Sequence, residues 1–162
     1  MVQTITILAA DDDPDDLALL RASFERTGSA GRLVCVRDGT EVFSYLEAAE
    51  AGKHPWPSVL LLDLKMPGMN GFDVLARLQA HAAWKKLPVI VFSGSNQPVD
   101  VERAYDLGAS RYLIKPQKVS DLVQVLRSVE MFCQRLPAAP EAKPPRESPG
   151  KPPVLPAANR PG

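Results

Sequence analysis

Asp11, Asp12, Asp13, Asp15 and Asp16 put five carboxylates within six positions, directly after the apolar run Ile5 to Ala10. Three further reactive groups end later apolar runs: Asp63 after Val59 to Leu62, Ser93 after Val89 to Phe92, and Lys115 after Tyr112 to Ile114. Carboxylates brought close together repel, and one of them takes up a proton unless a cation joins them. A hard divalent ion with oxygen ligands answers that need, and Mg²⁺ is the available one. Magnesium keeps several of its waters and accepts a phosphoryl oxygen. Lys115 adds a second positive charge and Ser93 a hydroxyl donor. A metal, a lysine and a hydroxyl around one carboxylate form a phosphoryl-binding site with a nucleophile inside it. The chemistry is phosphoryl transfer onto an aspartate.

No single one of these residues decides the matter, because an Asp after a strand is more often a helix cap than a catalyst. Asp13, Asp15 and Asp16 read that way. Asp13 suits the N-cap, Pro14 the first helical position, and Asp15 and Asp16 the positive end of the helix dipole. The convergence of the others depends on the elements that carry them. The run Leu33 to Val36 joins the four above, and three of the five runs are apolar on both faces, as strands buried on both sides are. Helical spacing fills the intervals: Leu17, Leu20 and Phe24; Val42, Phe43 and Leu46; Phe72, Leu75 and Leu78; Val101, Ala104 and Tyr105; Leu122, Val125, Val129 and Phe132. Gly108 is expected to close the fourth helix and Ser120 to cap the fifth. Strand and helix alternate five times, which predicts an α/β fold with a doubly wound parallel sheet and right-handed crossovers. Such sheets bind ligands beyond the carboxyl ends of their strands, where Asp11, Asp12, Asp63, Ser93 and Lys115 all fall.

Composition narrows the classes. The 162 residues carry 19 basic and 19 acidic side chains, which argues against nucleic-acid binding driven by bulk charge. No apolar run approaches the ~20 residues that span a bilayer, and the N-terminus lacks the parts of a signal peptide. Cys35 and Cys133 stand far apart and outside metal spacing, as thiols in a reducing compartment do. Nine of the 16 prolines fall after Leu136. Residues 1–136 are therefore expected to form the domain, with 137–162 a Pro-rich, disordered tail.

The motif residues resemble the receiver domain of two-component response regulators. The resemblance rests on Asp11-Asp12, on Leu60 through Asp63, Lys65, Met66-Pro67-Gly68 and Asn70-Gly71 to Phe72, on Ser93-Gly94, on Gly108-Ala109, and on Tyr112 through Lys115-Pro116. It covers roughly residues 3 to 135. It implies a flavodoxin-like (βα)5 fold, three layers α/β/α, with strand order 2-1-3-4-5. It implies Asp63 as phosphoacceptor, with Lys115 and Ser93 contacting the phosphoryl oxygens. Asp11, Asp12, Asp63 and the backbone carbonyl of Lys65 would hold Mg²⁺, or Mn²⁺ in its place, with Asp12 the nearer direct ligand. Ser93 and Tyr112 would form the switch, the ring turning inward as Ser93 moves toward the phosphate. Lys115-Pro116 is expected to be a cis peptide. The five-aspartate stretch and the Ala104-Tyr105-Asp106-Leu107-Gly108-Ala109 segment are similar to stand-alone regulators paired with phytochrome-type histidine kinases.

The function implied is that of a single-domain response regulator. It takes a phosphoryl group from a histidine kinase or phosphotransfer protein and promotes its own phosphorylation and dephosphorylation rather than acting on a separate substrate. No helix-turn-helix fits the 26-residue tail, so output through protein contacts is expected, including a homodimer through the face of fourth helix, fifth strand and fifth helix. DNA and membrane partners are not expected, and the location is expected to be cytoplasmic. Two other classes compete. A haloacid-dehalogenase-like phosphohydrolase would use Asp11-x-Asp13, but it needs a further acidic motif on a strand after Lys115 and Thr or Val in place of Pro14. A flavin binder would need a phosphate loop where five aspartates stand. His54 and His81 read as surface residues, Trp56 as a loop anchor, and Phe72, Trp84 and Phe92 as packing residues.

Overall fold

The computed structural model describes residues 4–136. Five strands alternate with five helices: β1 (Thr6–Ala10), α1 (Pro14–Arg26), β2 (Arg32–Val36), α2 (Gly39–Glu50), β3 (Val59–Leu62), α3 (Gly71–Gln79), β4 (Val89–Ser93), α4 (Pro98–Asp106), β5 (Arg111–Ile114) and α5 (Val119–Gln134). All the strand pairs are parallel, in the order β2-β1-β3-β4-β5. This is the flavodoxin-like arrangement that the alternation and the resemblance imply. The proposed tail, 137–162, lies outside the described residues.

The period-two alternation of strand side chains divides the core in two. Leu8, Ala10, Leu60, Leu62, Val89 and Val91 face α2, α3 and α4, where Val42, Leu46, Val74, Leu78 and Ala104 meet them. Ile7, Ala9, Val59, Leu61, Ile90 and Phe92 face α1 and α5, against Leu20, Leu122, Leu126 and Val129. Strands β1, β3 and β4 are buried along their whole length, whereas β2 and β5 lie at the edges and are half-buried or exposed over most of theirs. These are the three runs whose sequence is apolar on both faces.

The helix ends follow local chemistry. Asp13 caps α1 by accepting the Asp15 N–H, with Pro14 in the first turn. Asn70 and Asp73 form a reciprocal capping box at the start of α3. Gly108 follows α4 with φ +103°, the left-handed conformation expected at that end. Ser120 is not the cap of α5: the helix begins at Val119, and Lys118 takes the N-cap position without a side-chain bond. Lys115-Pro116 is also not cis, since no cis peptide bond occurs among the described residues; trans is the lower-energy isomer even before proline.

Aromatic packing departs from the expected surface role of His81, which is half-buried, whereas His54 is exposed as expected. His81 stacks on buried Trp84 at 3.7 Å between ring centroids, and His54 stacks on Tyr45 at 4.8 Å. The Tyr45 hydroxyl donates to the Pro55 carbonyl, and Trp56 packs half-buried against the core, so the loop before β3 is anchored as expected. Among the described glycines, Gly71 packs tightest against backbone. A Cβ there would stand 2.5 Å from the Asp63 carbonyl oxygen and 2.7 Å from the Leu64 Cα. Gly71→Ala should therefore lower stability by about 1–3 kcal/mol in urea denaturation. Gly94→Ala, where a Cβ meets nothing within 4 Å, is the control and should change it far less.

Candidate functional site

The site is built by the sheet continuing one residue past its strands. The Asp11 N–H donates to the Val36 carbonyl, the Asp63 N–H to the Ala10 carbonyl and the Lys115 N–H to the Ser93 carbonyl. Each reactive residue is thus held by the ladder itself, on the first position beyond an apolar strand. Asp11, Asp63 and Ser93 are buried, and Asp12 and Lys115 are half-buried.

Oxygens of Asp11, Asp12 and Asp63 lie within 4.8 Å of one another. The Lys115 Nζ donates to Asp11 Oδ2 at 2.6 Å and to Asp16 Oδ2 at 2.9 Å, and stands 3.5 Å from Asp63 Oδ2. The other Asp11 oxygen accepts the Asp13 N–H. Burial pushes the Asp63 carboxyl up from 3.8 to about 6; Lys115 pulls it down, the Asp11 charge pushes it up, and the Lys65 backbone amide and the Lys115 hydrogen bond lower it again. Burial of Lys115 alone would lower its pKa, but hydrogen bonds to Asp11 and Asp16, and the charges of Asp63 and Asp11, hold the ammonium well above its usual range. One lysine does not fully offset a buried carboxylate with acidic neighbours, so the donor set suits a hard divalent cation: all oxygen, mostly charged, with one half-buried side open to water. A cavity of about 50 Å³ adjoins this cluster, lined by Asp11, Asp16, Asp63, Lys115, Pro116 and the exposed Leu19, among others.

Ser93 Oγ accepts the Ser95 N–H at 3.2 Å. The Tyr112 ring packs half-buried against the α2–α4 side of the core, and its hydroxyl donates to the Ser95 carbonyl at 2.8 Å. Ser95 Oγ donates to Asp100 Oδ2 at 2.6 Å and accepts the Gln97 N–H, which ties the loop to the first turn of α4. The serine and the aromatic ring singled out from the sequence therefore meet through Ser95. The Lys65 side chain is exposed. Two residues enter the site that the spacing did not assign to it. Asp16 was accounted for by the helix dipole, and Ser95 carried no signal beyond lying two positions after Ser93.

A carboxyl whose folded-state pKa lies above its unfolded value costs folding free energy when ionised. That cost is absent below 3.8, grows as pH rises through about 6 and is full above it. In chelator-containing buffer, Asp63→Asn should raise stability by about 1–3 kcal/mol near pH 8, and the gain should vanish near pH 4. Urea denaturation across this range measures it.

Residues 7–127 match the response regulator receiver domain family. Response regulator Rcp1 of Synechocystis sp. is 30% identical over 127 residues, 78% of this chain and 86% of Rcp1. Its Mn²⁺-bound crystal structure has a TM-score of 0.70 and 28% identity over 84% of this chain and 99% of that one. The phosphorylated cyanobacterial phytochrome response regulator RcpA has a TM-score of 0.73 at 30% identity, covering 82% of this chain and 96% of its own. RPA3017, from red light signalling of R. palustris, has a TM-score of 0.76 at 31% identity, covering 84% and 98%. With its five-stranded order and its acidic cluster beside a lysine, this chain belongs to the response regulator receiver domain family, homologous to stand-alone regulators of two-component signalling.

Proposed function

We propose that Asp63 accepts a phosphoryl group from a phosphohistidine of a histidine kinase or phosphotransfer protein. The observation that carries the proposal is Asp63 itself, buried among carboxylate oxygens within 4.8 Å and facing the Lys115 ammonium at 3.5 Å. An Asp63 carboxylate oxygen forms the new P–O bond as the P–N bond to the donor imidazole breaks, and the leaving nitrogen takes up a proton. A Mg²⁺ ion at Asp11, Asp12, Asp63 and the Lys65 carbonyl, or Mn²⁺, would neutralise charge on the transferring group. Lys115 pairs with one phosphoryl oxygen and Ser93 donates to another. Neutral Asp63 is a poor nucleophile, so a cation bound there would also keep it ionised and reactive.

Hydrolysis of the acyl phosphate in the same site returns the protein to its starting state, so it acts on its own phosphoryl group and on no separate substrate. Movement of Ser93 toward the phosphoryl group pulls on Ser95, and with it on the carbonyl that holds Tyr112 and on the start of α4. Output runs through the face of α4, β5 and α5, where Val99, Tyr105, Ile114 and Met131 are exposed, and a homodimer or the cognate kinase would dock there. The likeness to RcpA and RPA3017 supports a phytochrome-type kinase as the donor. No helix among the described residues is long and apolar enough to cross a membrane, which is compatible with the cytoplasmic location proposed here.

With Mg²⁺ and acetyl phosphate, intact-mass analysis should find one phosphoryl group on the protein, absent in chelator and absent in Asp63→Asn. Labelling of Asp63→Asn at the wild-type rate would reject the assignment. Ser93→Ala should still take the label, while the phosphorylation-dependent change in the Tyr112 NMR signals should shrink by more than about half. An unaltered Tyr112 response would remove Ser93 from the coupling.

A further inference from the structure

The Lys115 ammonium has three N–H donors. Asp11 takes one at 2.6 Å and Asp16 takes a second at 2.9 Å, which leaves the third for Asp63, 3.5 Å away. The bond to Asp16 is thus compatible with the approach of Lys115 to the acceptor. The two anchors differ in kind. Asp11 belongs to the acidic group, and its other oxygen already accepts the Asp13 N–H. Asp16 stands outside that group, on the first turn of a helix fixed by the Asp13 cap and by buried Leu17 and Leu20. A cation drawn to the acidic group would claim Asp11 and leave Asp16 as the anchor of the lysine. Lysine needs such an anchor more than arginine would, because its charge rides on a flexible four-carbon stem.

We propose that Asp16 is a positioning residue: it holds the Lys115 ammonium beside Asp63 while the metal-binding carboxylates are engaged, so that the third N–H meets the incoming phosphoryl oxygen. This rests on Asp63 being the phosphoacceptor. Asp16 touches neither donor nor metal and acts only through Lys115. Its neighbour Asp15 supplies the control. Asp15 has the same charge and the same place in the first turn of α1, but it is exposed, while Lys115 is paired with Asp11, Asp16 and Asp63.

The two effects of removing the Asp16 charge have opposite signs. Less negative charge near the site favours the approach of an anionic donor, whereas a released Lys115 slows the transfer. The experiment follows labelling of the full chain by acetyl phosphate at saturating Mg²⁺, for wild type, Asp16→Asn, Asp16→Glu and Asp15→Asn, with Mg²⁺ affinity measured by titration on each. Asp16→Asn should label about fivefold more slowly than wild type, the size expected for one partly exposed charge pair. Asp16→Glu should recover most of the rate, Asp15→Asn should stay close to wild type, and Mg²⁺ affinity should change by less than about twofold in all of them. Asp16→Asn labelling as fast as Asp15→Asn, or faster, overturns the proposal. A fall in Mg²⁺ affinity that tracks the fall in rate also overturns it, because Asp16 would then be a metal ligand. Failure of the phosphoacceptor assignment looks different: wild type stays unlabelled, or Asp63→Asn takes the label.

Discussion

Buried negative charge is the constraint on which the rest of this structure depends. Asp63 is buried at the end of β3, and the Asp11 and Asp12 oxygens lie within 4.8 Å of its own. Such repulsion raises the pKa of one carboxylate unless a cation joins the group, and it persists here because the groups cannot move apart. Here the ladder supplies that restraint, because the N–H groups of Asp11 and Asp63 are bonded to the neighbouring strands. The twelve apolar side chains that β1, β3 and β4 present to the two faces of the sheet supply the stiffness behind it. Hydrophobic burial holds the strands in place, and the strands hold charges together that would otherwise part. Lys115 relieves part of the repulsion, and a divalent cation would relieve the rest.

The same constraint explains which parts were legible in the sequence. Fully apolar runs declare buried parallel strands, and the residue after each must lie at the sheet edge. Asp11, Asp63, Ser93 and Lys115 follow from that rule without knowledge of any side-chain contact. The exchange of partners across the site does not. Asp16 has a sufficient local reason to stand in the first turn of a helix, and nothing in the order of residues says that its carboxylate reaches a lysine 99 positions away. Ser95 is hidden for a related reason: its carbonyl binds Tyr112, and a carbonyl has no identity in the sequence. The stacking of His81 on Trp84 likewise depends on the turn after α3 rather than on spacing. Ser120 is not the cap because the helix starts at Val119, two residues earlier than a Ser120 cap requires.

Ser93, Ser95 and Asp100 form one short chain of hydrogen bonds along the β4–α4 loop, which Tyr112 of β5 joins at the Ser95 carbonyl. The chain begins at a buried hydroxyl beside the site and ends on an exposed helix. It crosses from the interior to the surface within eight positions of sequence, so little of the protein need rearrange for one end to feel the other. The loop carrying it holds Gly94, around which a side chain would meet nothing within 4 Å.

The contrast with Gly71 has a mechanical consequence. On the α3 side, backbone rests directly on backbone at the Asp63 carbonyl, with no side chain between them to bend or rotate. The Gly71 N–H is also bonded to the Leu64 carbonyl. The end of β3 and the first turn of α3 therefore meet without an intervening side chain, a fixed abutment under the Asp63 carboxylate. A methyl group at position 71 would force that contact apart, whereas one at position 94 would disturb nothing.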